Sequence, residues 1–94
     1  MTYLLVRHNV KDYATWKPVF DAHHAKIKSS GGTGGQVFRN ADNPNEVLVL
    51  TEWDDLKNAR QFTQSEDLRT TMEKAGVISK PELFFLDGEE RFSL

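Results

Sequence analysis

Gly34-Gly35-Gln36-Val37-Phe38-Arg39-Asn40-Ala41-Asp42-Asn43-Pro44-Asn45-Glu46-Val47-Leu48-Val49-Leu50-Thr51-Glu52-Trp53 carries two short apolar runs on either side of a turn. Val47, Val49, Thr51 and Trp53 alternate with Glu46, Leu48, Leu50 and Glu52, the period-2 pattern of a strand. Pro44 presets φ for a type I turn and Asn tolerates the flanking positions, so Asp42–Asn45 is the expected turn of a hairpin. Facing Ala41 with Glu46 sets Phe38 opposite Val49 and Val37 opposite Leu50. One face then carries Phe38, Val47, Val49, Thr51 and Trp53, and the other Val37, Leu48 and Leu50. Neither face is polar, so each must be covered.

Outward from the hairpin, the same events occur on both sides. Thr2–Val10 reads as a first strand, with Leu4, Val6, His8 and Val10 on one side and Tyr3, Leu5, Arg7 and Asn9 on the other. Asp12 is a natural N-cap. Tyr13, Trp16, Phe20, one of His23 and His24, and Ile27 recur at helical spacing. Pro18 removes a hydrogen bond, so a short opening turn is expected over Asp12–Trp16 and the regular helix from about Lys17. Ser29–Gly35 is glycine-rich and reads as a flexible loop; it lacks the Lys-Ser/Thr pair of a phosphate loop. After the hairpin, Asp54 or Asp55 caps a helix with Leu56, Ala59 and Phe62 inside. Ser65 caps a continuation through Leu68, Met72 and Ala75, so this helix is expected to break near Gln64 and stop at Gly76. Pro81 opens the last strand, Glu82–Leu86, apolar on both faces, and the tail beyond Asp87 has no assigned place.

The 94 residues suffice for one domain, 1–94, with a modest core. A net charge of −2 without a basic cluster argues against nucleic acid. The absence of cysteine excludes disulfides, zinc–thiolate sites and a thiol nucleophile. The chain opens directly into a strand, and no apolar run reaches membrane-spanning length, so a cytoplasmic protein is expected. The order of elements predicts an α+β, ferredoxin-like βαββαβ sandwich. It is a four-stranded antiparallel sheet in the order 4-1-3-2 with two helices on one face. The uncovered sheet face then predicts a homodimer packed sheet to sheet.

Glu52-Trp53-Asp54, followed by Ala59, Phe62, Ser65, Leu68 and Met72 through the broken helix, resembles the antibiotic-biosynthesis-monooxygenase-like branch of the dimeric α/β-barrel superfamily. The opening Asp12-Tyr13…Trp16-Lys17-Pro18-Val19-Phe20 is similar to small members called cyclases or monooxygenases. The resemblance spans residues 2–87 and supports fold more than chemistry. It implies a dimeric α/β barrel, no bound cofactor, and oxygen-dependent oxidation of an electron-rich aromatic. Haem-degrading relatives use a Trp and a His on the second helix, where this chain carries Phe62 and Met72, so that activity is not expected.

Three histidines are the candidate bases: His8, His23 and His24, of which only one of the adjacent pair can face the sheet. They do not have the spacing of a metal-ligand set, and no metal is expected. Trp53, Asn9, Trp16, Phe20 and Phe62 are the expected lining of a pocket for a flat apolar aromatic, with Arg7 and Arg39 as further candidates to orient an anion. The plainer reading makes these aromatics ordinary core, Asp54, Asp55, Glu66 and Asp67 helix caps, and the protein a non-catalytic homodimer with a small-molecule-binding or regulatory role. An open gap between helices and sheet favours the enzyme; a gap filled by Trp16, Phe20 and Phe62 favours the binding module.

Overall fold

In the computed structural model, which describes all 94 residues, β1 (Thr2–Asn9) occupies the middle of the sheet. β2 (Gly32–Arg39) and β3 (Glu46–Trp53) form the hairpin, and β4 (Glu82–Asp87) closes the other edge, giving the order β2-β3-β1-β4 with every pair antiparallel. The chain adopts the α+β, ferredoxin-like fold. Its two helical segments are each split, into α1 (Tyr13–Ala22) and α2 (His24–Ser30), then α3 (Leu56–Thr63) and α4 (Glu66–Lys74).

The second split lies where Ser65 predicts it. Ser65 Oγ accepts from the Leu68 amide and Asp55 accepts from the Asn58 amide, while Gly76 adopts a positive φ beyond α4. The first split differs from expectation. Asp12 accepts hydrogen bonds from the Ala14 amide and the Thr15 hydroxyl, so a well-capped helix starts at Tyr13 and continues through Pro18. The interruption comes at His23 instead. Gly31, at φ 117°, ends α2, and the residues expected as a glycine loop continue directly into β2 with a bulge between Gly32 and Gly34. A side chain at Gly35 would collide with the Leu50 carbonyl, so glycine is what lets β2 approach β3 there.

The hairpin register is shifted by one residue from the expected pairing. Val37 faces Val49 and Phe38 faces Leu48. A one-residue slip exchanges faces, so Val37 turns toward the helices and Phe38 toward the outside. The reason is the turn: Asn40 and Asn43 each accept a backbone N–H from two residues on, and the Asn40 amide donates to the Glu46 carbonyl. Two apolar clusters fill the helix side. One is Leu4, Val6, Trp53, Ala59 and Phe62; the other is Val10, Trp16, Val47, Val49 and Ala75. On the far side of the sheet, Phe38, Phe84 and Leu86 are exposed, with Leu5, Leu48 and Leu50 half-buried among them.

Candidate functional site

His8 faces the helices because it continues the Leu4–Val6 side of β1, and it is the buried polar residue of the core at 4% exposure. Its imidazole meets Trp16 edge-on, ring centres 5.8 Å apart, and its Nδ1 has no hydrogen-bond partner in the protein. Burial lowers its pKa below the ordinary 6.5, since the charged form loses hydration. The ring is therefore neutral at pH 7.

His23 sits at the break between α1 and α2, which turns it inward, whereas His24 projects outward. The His23 side chain is 11% exposed and that of His24 60%. His23 Nε2 lies 2.9 Å from Asp67 Oδ2, and its ring packs on Phe62 at 5.9 Å. The same hydrogen bond holds the Asp67 carboxyl below the usual carboxylate range. An ionised carboxylate only accepts, so His23 Nε2–H is the donor in this contact.

Both histidines line a cavity of about 60 Å³ at the junction of the two core clusters, with Trp16, Phe20 and Phe62 around them and Thr51, Thr71 and Met72 completing the wall. It has room for a few water molecules and falls short of the several hundred Å³ of a typical ligand pocket. Trp16 and Phe20 stack face to face at 4.8 Å and 11°, occupying much of the gap between α1 and the sheet. Of the residues singled out in the sequence, His8, His23, Trp16, Phe20 and Phe62 line this one cavity. Others do not.

Asn9 lies on the opposite face of β1 from His8, and its backbone N–H donates to Ser79 Oγ; strand alternation removes its side chain from the cavity. Trp53 is fully buried against Phe62 and donates its indole N–H to Thr51 Oγ1 at 2.7 Å, so it supports the cavity wall without lining it. Arg7 is paired with Glu46 and Glu82 on the outer face, and Arg39 stacks on Tyr13. His24 packs against the edge of Phe20 from outside. The contact missed in the sequence is that of Asp67, read there only as a helix-capping acid. Only the meeting of α4 with the His23 break reveals its partner. No three His, Asp or Glu side chains cluster as metal ligands would.

The model of the antibiotic biosynthesis monooxygenase family matches residues 14–74, which include the broken helices, the hairpin and the break that carries His23, but not His8 on β1. The chain belongs to this family. No curated protein matches it in sequence. Among solved structures, a candidate antibiotic biosynthesis monooxygenase from Bordetella bronchiseptica superposes with TM-score 0.81 at 14% identity, covering 95% of this chain and 97% of that one. The cofactor-independent oxygenase SnoaB from Streptomyces nogalater gives 0.78 at 16% identity, covering 96% and 94%. A family candidate from Caulobacter crescentus gives 0.74 at 17%, covering 95% and 90%. At such identities the likeness is one of fold. No helix of the chain is long and apolar enough to cross a membrane.

Proposed function

We propose that this family member is a cofactor-independent monooxygenase acting on a small electron-rich aromatic. The observation that carries this reading is the pair of histidines on one apolar cavity, one oriented by a carboxylate and the other kept neutral by burial. His23 is the general base: Asp67 fixes its tautomer and stabilises the imidazolium formed when Nδ1 takes a proton. His8, uncharged, donates a hydrogen bond to the oxygen on which the substrate's negative charge develops. The substrate carbanion passes one electron to O₂, and the radical pair joins as a C–O bond, giving a peroxide. That peroxide takes the proton back from His23 and loses water, so a ring CH₂ becomes C=O, with one oxygen atom in product and one in water. Apolar walls limit stray protonation of the anion.

The domain spans 1–94, is cytoplasmic, and works as a homodimer through the outer sheet face, where Phe38, Leu48, Leu50, Phe84 and Leu86 form an apolar patch. The expected interface buries roughly 2,000 Å² or more in total. A second reading, a non-catalytic binding module, is favoured by the small cavity volume, about 60 Å³. Oxygen uptake with a panel of anthrone-type phenols separates the two. The oxygenase requires a rate above buffer that falls by roughly 10²–10⁴ in His23→Ala. No wild-type rate across the panel leaves the binding module as the better reading.

A further inference from the structure

Beside the small cavity lies an open groove of about 690 Å³ between the α1–α2 segment and β2. Phe20, Ile27, Val49 and Thr51 line both spaces, so these side chains form the wall between them. Val49 and Thr51 belong to the fixed sheet. Phe20 does not: it is half-buried, held by its stack on Trp16 and an edge contact with His24 at 4.8 Å. It also sits between Pro18, which supplies no hydrogen bond to the preceding turn, and the helix break at His23. That half-turn is flanked by two interruptions of the helical hydrogen-bond ladder. The groove floor is bare because β2 contributes glycines at 32, 34 and 35. At its rim, Lys17 is neutralised by Asp21 at 2.6 Å, whereas Lys28 has no carboxylate partner.

We propose that Phe20 is a movable partition through which an aromatic carboxylate, or an aromatic with a comparable anionic group, reaches the histidines, its anion staying in the groove at Lys28. With the partition moved aside, cavity and groove join into a space of the size that small-molecule sites usually occupy. The reacting ring then lies under His8 and His23 in place of the Phe20 ring, and the rest of the molecule rests on the glycine strand. The proposal deepens the oxygenase reading and rests on it for the word substrate; its test uses binding alone, so the two can fail separately.

The probes are anthraquinone-2-carboxylate and its neutral carboxamide, followed by quenching of tryptophan fluorescence at equilibrium and in stopped flow. Wild type is expected to bind the carboxylate about two- to fivefold more tightly than the amide, the scale of one exposed ion pair. Lys28→Glu should abolish or reverse that preference. Phe20→Ala should raise the association rate of both probes about tenfold, because the closed partition no longer limits entry. Phe20→Leu, which keeps most of the packing volume, should raise it less and guards against misfolding of the Ala variant. Equal binding of the two probes by wild type, an unchanged association rate in both Phe20 variants, or no binding at all would each overturn the proposal. Binding as described without oxygen uptake by any substrate would leave the partition standing and remove the oxygenase.

Discussion

Replacing His8 by Leu should make the protein more stable and less active at once. The wild-type ring keeps Nδ1 buried without a protein partner, and an unsatisfied buried polar atom costs about 1–3 kcal/mol. Leucine has similar bulk and no polar atom, but it forfeits the edge contact with Trp16, on the order of 0.5–1.5 kcal/mol. The balance favours the variant by about 1 kcal/mol, or about 4–8 °C in Tm for a chain of this size. Both proteins must be melted at one protomer concentration, because the proposed dimer would make Tm depend on concentration. The pH dependence gives a second signature. Burial holds the folded pKa of His8 below 6.5, so as pH falls the unfolded chain takes up this proton first. The contribution to stability is complete above about pH 6.5 and disappears as pH falls through the folded value. His8→Leu lacks that term, so its advantage should widen on acidification. Oxygen uptake should meanwhile fall about 10²–10³-fold, the usual loss for one donor to a developing anion. A variant that melts lower than wild type at pH 7 would refute the reasoning, because His8 would then be an ordinary packing residue.

Other expectations are simpler. Phe62→Ala, which opens a cavity beside Trp53, Ala59 and His23, should cost about 3–5 kcal/mol in urea unfolding. Gly35→Val should cost at least about 1–3 kcal/mol, because its Cβ meets the Leu50 carbonyl rather than a yielding side chain; an unchanged denaturation midpoint would contradict the strand pairing. Asp67→Asn, on an exposed side chain, should leave Tm nearly unchanged and lower the oxidation rate by an order of magnitude or more, since His23 loses the partner that fixes its tautomer; equal rates would reduce Asp67 to a surface acid. Leu48→Arg should move the sedimentation mass from a dimer to the 10.8 kDa monomer, and a wild type already at that mass would remove the sheet-to-sheet dimer.

The sequence was most informative where one local rule decides a residue's place. Alternation in β1 and β3 sorted their residues into two faces, and Ser65 and the Asp54–Asp55 pair marked helix starts, because capping is written in a few adjacent residues. It was least informative where two local signals compete. Asn40, Asn43 and Pro44 allow more than one turn, and a shift of one residue exchanged Val37 for Phe38 between the two sides of the sheet. Pro18 offered a reason to begin the helix late, yet the Asp12 cap prevailed and the break moved to His23. That displacement matters for the site. A continuous helix over residues 17–30 would impose a fixed angle between His23 and its neighbours, whereas at the break His23 can face Asp67 and the cavity together. The glycines that suggested a loop instead form a strand without side chains, leaving the groove open beside Phe20. Alternation grouped His8 with Leu4, Val6 and Val10 but left open which side the helices cover, and its missing partner depends on what α1 and α4 bring against it. His23 thus meets Asp67 where a helix break joins distant segments, and such a contact leaves little trace in any one stretch of sequence.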